Sequence, residues 1–336
     1  AVGELIRASA RVAGDQRKLT TEFQRMADLV RESAYWSRQA KAERVSAEHV
    51  RQALREQVYR SDLVASRIRE LIEEGTLLIS LGEPAIGCIN GLAVANLGDY
   101  SFGWPTRVTA SVGIGSAGVI NIERESRLSG RTFDKAMLIL EGYLRGMYAG
   151  EHPLALSASV TMEQSYGGIT GDSATLAELL CVLSAIADAP LRQDIAVTGS
   201  VNQRGQVQAI GAVNEKVEGF FDVCQQIGLS GQQGVCIPAA NVKHLVLRDD
   251  VTAAITAGQF HLWSVSTVDE AAELFTGLPA GAIAQADTFH GRVACRLQEM
   301  SATLKERHQA EHVTTIAEPR RGSIPSDPRP SLPGRS

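Results

Sequence analysis

No run of about 18 apolar residues occurs in this chain of 336 residues, which excludes a membrane-spanning helix. Cysteine is scarce. Cys88, Cys181, Cys224, Cys236 and Cys295 are scattered, with no Cys-x-x-Cys and no paired framework, which excludes a disulfide scaffold. Three of them sit inside apolar runs, so reduced, buried thiols and a cytoplasmic location are expected. A formal net charge of −5 gives no reason to expect nucleic acid or an anionic membrane as partner. The seven histidines are read as showing neither His-x-x-x-His nor Cys/His ligand spacing, and no metal site is expected. A Gly-x-x-x-x-Gly-Lys-Ser/Thr phosphate loop is missing throughout, so this polypeptide does not hydrolyse ATP by that machinery. The chain opens at Ala1 without methionine or a signal-peptide pattern, which reads as a piece of a longer protein.

What is present falls into three regions. Residues 1–74 are charged, nearly free of glycine and proline, and helical in pattern. Ser46 is placed to cap a helix, but the third position holds His49 rather than Glu or Gln, leaving the capping box incomplete. On pattern alone this region is either a small lid or a generic helical bundle. Residues 75–280 alternate strand and helix. Gly91–Asn96 and Thr106–Val112 read as paired strands around a turn at 102–105. Val119–Glu123 and Ala155–Glu163 read as strands, with a helix over Arg131–Ala149 between them. Residues 194–201 and 206–210 form one hairpin about Asn202–Gly205. Strands at Gly234–Pro238 and His261–Val265 alternate with helices near 241–257 and over Val268–Phe275, which defines an α/β domain of mixed sheet. Gly113-Ile-Gly115-Ser-Ala-Gly118 copies the dinucleotide fingerprint, but it lies between strands and reads as a hairpin tip. The last region, 281–336, begins with a helix near Thr288–Gln309 and ends in a Pro/Arg/Ser-rich tail too polar to order itself.

Two residues point to chemistry. Thr170-Gly171-Asp172 is a turn, and the apolar run from Ser173 is a helix, so Ser173 stands where free backbone N–H groups favour a developing oxyanion. In the helix Val213–Ile227 the positions Val213, Val217, Phe220, Cys224 and Ile227 form an apolar stripe, and Lys216 falls on its edge. A lysine there must reach solvent or give up its proton, and a neutral lysine can serve as base to a serine hydroxyl. Either residue alone has an ordinary reading, a helix cap or a solvated charge. Ser173 has no Gly-x-Ser-x-Gly elbow, although a triad with remote partners stays open on sequence order.

The surroundings narrow this. Gly171-Asp172-Ser173-Ala174 resembles the nucleophile motif of the Lon protease family, in its B-type, archaeal-like form. Thr198-Gly199-Ser200, Gly205, Val207 and Ala209 through Lys216 resemble the second motif, with Gly211-Ala212 where the family usually has two glycines. The longer, proline-containing nucleophile motif of the A-type branch is absent. The resemblance extends from about Gly91 to Gly277. It implies an α/β Lon-type proteolytic domain over 75–280, preceded over 1–74 by a small all-α lid of AAA+ type and followed by the 281–336 tail. It implies a serine endopeptidase acting on unfolded or damaged protein, with Ser173 as nucleophile and Lys216 as base. Thr198 matches a position whose hydroxyl holds the lysine. Asp172 is read as structural support that points away to cap the helix, because its charge would otherwise raise the lysine pKa. Glu163 is read as an ordinary solvated strand carboxylate rather than as part of a substrate-binding strand. No cofactor is implied for this piece; ATP and Mg2+ are implied for the full-length protein, as is a hexameric ring. The alternative is a Lon-related scaffold that binds without cleaving.

Overall fold

The computed structural model describes residues 1–98, 100–150 and 154–317, with the side chains of 308 and 310–317 left aside. Four helices open the chain: α1 (Val2–Ala13), α2 (Phe23–Gln39), α3 (Ala47–Ser61) and α4 (Leu63–Glu73). The next elements are β1 (Cys88–Asn96), β2 (Ser101–Ile114), β3 (Gly118–Asn121), α5 (Ile122–Glu125), α6 (Arg131–Tyr148), β4 (Leu156–Met162) and α7 (Thr175–Ala187). Then come β5 (Ile195–Val197), β6 (Ser200–Val201), β7 (Val207–Gln208), α8 (Val213–Ile227) and β8 (Gly234–Pro238). A 3-10 turn (Ala239–His244), α9 (Asp249–Thr256), β9 (His261–Val265), α10 (Val268–Thr276) and α11 (Phe289–Ala317) complete it.

The main sheet has seven strands in the order β3-β4-β2-β1-β5-β8-β9, and β2 alone runs against the other six. Residue alternation along β5 and β8 separates two cores. Ile195, Val197 and Cys236 face a cluster built on α6, α7, α10 and α11, while Ala196, Val235 and Ile237 face one built on α8 and α9. The helices carrying Ser173's neighbourhood and Lys216 therefore lie on opposite faces of the sheet. Helix α7 is buried along nearly its whole length, as a central helix is, and is apolar at most positions, with Glu178 the one charged residue in it.

Several expected elements shift. The β1–β2 reversal lies after Asn96, where the Leu97 N–H donates to the Tyr100 carbonyl at 2.9 Å, not at 102–105. Pro105 sits within β2 opposite Leu92, on the stretch that pairs only with β1, where its missing N–H costs no second ladder bond. The 194–201 segment divides at Thr198-Gly199: β5 joins the main sheet, and only β6 and β7 form the hairpin. Glu123 belongs to α5 rather than to a strand. The glycine-rich 113–118 segment is not a hairpin tip, because β3 pairs with β4 and the connection passes over the end of β4. The 241–257 stretch is a 3-10 turn followed by α9. Helix α11 continues to Ala317, since no proline or glycine occurs between Gly291 in its first turn and Pro319. The Pro-rich part of the tail, from Glu318, lies outside the described residues. At α3 the capping box is complete after all. His49 Nδ1 accepts the Ser46 N–H at 3.1 Å, and Ser46 Oγ accepts the His49 N–H at 3.4 Å, so the imidazole stands in for Glu or Gln.

Candidate active site

The site forms where β5 ends. Thr198 follows β5 directly, and the Ser173 carbonyl accepts the Gly199 N–H at 2.8 Å and the Thr198 hydroxyl at 3.2 Å. Leu176 N–H in turn donates to the Gly199 carbonyl at 3.0 Å, so the start of α7 is laced to the strand end. Ser173 lies just before the cap residue Ala174, and the amides of Asp172, Ser173 and Ala174 donate to no protein atom among the described residues.

Lys216 approaches from the other face of the sheet. Helix α8 presses onto the β1–β2 ribbon at two glycines: a Cβ on Gly103 would lie 2.7 Å from the Lys216 Cα, and one on Gly219 would meet the Gly103 backbone. That approach leaves Lys216 1% exposed. Its Nζ lies 2.7 Å from Ser173 Oγ and donates to Thr198 Oγ1 at 3.0 Å. Burial pushes the ammonium down to about 8, against the opposing charge of Asp172. The hydrogen bonds also orient the amine. Thr198 spends its proton on the Ser173 carbonyl, so it accepts one from Lys216. A neutral amine has two N–H groups and one lone pair, and the lone pair is left for the Ser173 hydroxyl. This arrangement can deprotonate the serine and later return the proton.

The sequence reading brings Ser173, Lys216 and Thr198 to one point; Asp172 is nearby but differently employed. Its carboxylate does not cap α7, which has no side-chain cap. Instead Asp172 Oδ2 accepts the Ser200 hydroxyl at 2.9 Å, while the Asp172 carbonyl accepts the Thr175 hydroxyl at 2.6 Å. Ser200 had no assigned role beyond its place in the motif, and only the split of the strand at Thr198-Gly199 shows why it faces Asp172. Glu163 is taken up by Arg107 Nε at 2.6 Å and Thr109 Oγ1 at 3.0 Å, so it presents no free carboxylate to a substrate. Among the histidines, His308 and His312 do stand at His-x-x-x-His spacing, and both side chains lie outside the described residues.

Ala212, which stands where a second glycine is usual, is not a neutral exchange. It caps α8 with φ 55° and ψ 39°, a left-handed conformation that penalises any Cβ. Its carbonyl accepts the Lys216 N–H at 3.1 Å, so the strain sits on the first turn of the lysine's helix. Ala212→Gly relieves about 1–2 kcal/mol of that strain, less about 0.4–1 kcal/mol of added unfolded-chain entropy. A small rise in melting temperature is the expected outcome of thermal denaturation, and a fall would contradict the assignment of strain.

A serine and a buried lysine meeting at a strand end of a mixed α/β sheet is the arrangement that a serine nucleophile with a lysine base requires. Residues 165–276 match the Lon protease (S16) C-terminal proteolytic domain, and residues 1–60 match the archaeal LonB AAA+ ATPase LID domain. The chain belongs to the Lon protease family. It is 38% identical over 276 residues to a Lon protease homolog of Escherichia coli, covering 82% of this chain and 47% of that protein. A Lon protease homolog of Haemophilus influenzae is 41% identical over 210 residues, 62% of this chain and 35% of that protein. An archaeal Lon protease of Thermococcus kodakarensis is 28% identical over 276 residues, 82% of this chain and 40% of that protein. The chain thus spans less than half the length of each of these relatives.

Proposed function

We propose that this chain is the proteolytic part of an ATP-dependent protease, an endopeptidase that cleaves unfolded or damaged protein through Ser173 and Lys216. The observation that carries this reading is the 2.7 Å approach of a buried lysine Nζ to the Ser173 hydroxyl. In the first step neutral Lys216 takes the Ser173 proton and Oγ attacks the peptide carbonyl carbon. The amides at 172–174, which have no protein acceptor among the described residues, are left to hold the oxyanion. Protonated Lys216 then returns its proton to the leaving amine, and water repeats the sequence to release the acyl group. Thr198 holds the amine in register, and Asp172 with Ser200 braces the turn before the nucleophile.

Residues 1–74 serve in this reading as the lid of the ATPase, 75–280 as the proteolytic domain, and 281–336 as a helix packed on that domain's core followed by a tail. ATP and Mg2+ belong to the longer protein, since the residues present supply no phosphate loop. A hexameric ring is the assembly that the family resemblance supports. No helix among the described residues is long and apolar enough to cross a membrane, and the five cysteines are free thiols, which fits the cytoplasm. A fluorophosphonate probe tests the nucleophile. Mass spectrometry of the labelled chain should place the adduct on Ser173, in parallel with cleavage of a reduced, unfolded protein. Labelling elsewhere, or cleavage that survives full modification of Ser173, would overturn the assignment.

A further inference from the structure

Lys216 is held at Ser173 only as long as α8 keeps its place, and α8 is gripped along its flank. At 100° per residue, Glu218 lies about 160° and Glu215 about 100° around α8 from Lys216, so both project away from the lysine's direction. Both are bound by one side chain from the N-terminal helical region. Arg11, in the last turn of α1, embraces both carboxylate oxygens of Glu218, with the Nη2–Oε2 bond at 2.8 Å. The same guanidinium donates to Glu215 Oε1 at 3.2 Å and to the Val246 carbonyl at 2.9 Å. Glu218 is 6% exposed and also accepts the Arg248 N–H at 2.9 Å, so its remaining valences are filled from the loop before α9. Around this point Arg7 pairs with Asp249, and Arg248 with Asp222 of α8. Facing Lys216 itself, the ionised neighbour is Asp172.

We propose that Arg11 is a positioning residue for Lys216, a strut that presses α8 against the β1–β2 ribbon from a helix that lies outside the proteolytic fold. The geometry makes the grip two-sided. The Gly103–Gly219 contact sets how near α8 comes to the ribbon, and Arg11 holds the helix along its adjoining flank. A guanidinium that binds two carboxylates one turn apart, with a fourth bond to a carbonyl, fixes both the rotation and the height of the helix. Removing it leaves Glu218 buried without its main counter-charge, and α8 must move or admit water. Either response exposes Lys216. A displacement of α1 reaches the serine–lysine pair by the same route.

This inference rests on the proposed role of Lys216, and its test separates the two. In the 336-residue chain carrying 13Cε-labelled lysine, Lys216 is assigned by the resonance lost in Lys216→Met and titrated in parallel with hydrolysis of a short fluorogenic peptide. For Arg11→Gln the expected result is an upward shift of the Lys216 titration from near 8 towards that of ordinary lysine. With it kcat should fall about tenfold to a hundredfold, as a displaced base requires, while KM stays within about twofold. Arg11→Lys should recover part of both, since it keeps the charge but not the fork. Glu215→Gln, which loosens only the longer contact, should move both readouts less and in the same direction. Should Arg11→Gln not fold, Arg11→Lys and Glu215→Gln decide the matter by the same two readouts. A folded variant series in which neither the titration nor kcat moves overturns the strut. If Lys216 of the unsubstituted chain titrates like an exposed lysine and no hydrolysis is seen, the serine–lysine reading fails instead.

Discussion

Lys216→Met is expected to abolish hydrolysis and at the same time to make the fold more stable. The loss of activity is large because Lys216 is the base bonded to the serine and no other titratable side chain among the described residues bonds to it, and general-base removal costs on the order of a hundredfold to ten-thousandfold. The gain in stability follows from burial. Lys216 is 1% exposed, and its charge is disfavoured to the point that it titrates near 8 rather than 10.5. Below pH 8 the group is protonated in both the folded and the unfolded chain, so the whole cost of burying the charge weighs on the folded state, about 3 kcal/mol as an order of magnitude. As pH rises from 8 to 10.5 the folded state sheds its proton first, the unfolded chain binds more protons, and stability increases until the cost is gone. Methionine fills similar space without the charge, at the expense of the hydrogen bond to Thr198, worth about 1 kcal/mol. Thermal denaturation near neutral pH should thus give a higher midpoint for Lys216→Met, and the difference from the parent chain should shrink above pH 8. A variant that is inactive and also less stable at neutral pH would mean that Lys216 is a structural ion-pair partner rather than a strained base. Arginine at the same position offers the complementary case: it cannot be deprotonated, so activity stays lost, and its longer buried cation should destabilise.

Much of this site was legible in the sequence, for a physical reason. Helical phasing places Lys216 beside the Val213–Val217–Phe220 stripe, and phasing depends only on local geometry. The motif spacing then supplies Ser173 and Thr198, because a strand end and a helix start are both local events. What was not legible depends on partners remote in the chain. The reading of 194–201 as one strand follows from its apolar run, yet the bonds from Gly199 to Ser173 and Leu176 stop the strand at Val197 and turn Ser200 towards Asp172. Nothing in the run from Ser173 warns that Glu178, in its middle, is wholly buried and pushed up to about 8, by burial first and by the charge of Glu123 second. Its partner Asn121 lies 57 residues earlier. The incomplete capping box at His49 had the opposite fate: the rule names Glu or Gln, but the physics asks only for an acceptor at the right height, and an imidazole nitrogen provides one. Arg11 was beyond reach altogether, since a basic residue on an amphipathic helix reads as solvated until Glu218 is seen beneath it.

The pH dependence of hydrolysis separates the three roles open to Asp172. With Lys216 titrating near 8, the base is mostly protonated at neutral pH, and kcat/KM should fall about tenfold per pH unit below that point, roughly a hundredfold down at about pH 6. Asp172 is the charge that opposes the lysine's loss of its proton. Asn in its place removes that charge and still offers an oxygen to the Ser200 hydroxyl, which now holds the carboxylate at 2.9 Å. The sign is therefore fixed: Asp172→Asn should move the acid limb to lower pH and raise activity at about pH 6 relative to the plateau. If the carboxylate instead took part in proton transfer, the same variant would lose its plateau rate. If Asp172 braced the turn through its charge alone, the plateau would fall together with thermal stability, and the acid limb would stay where it was. A pH profile of kcat/KM on a short peptide, read beside the melting curve, distinguishes these three outcomes. A lysine base running below its best pH under the charge of its own neighbour is a site whose rate can be raised by deleting a carboxylate. A conventional serine–histidine–aspartate arrangement, in which the carboxylate stabilises the charged base, would respond with the opposite sign.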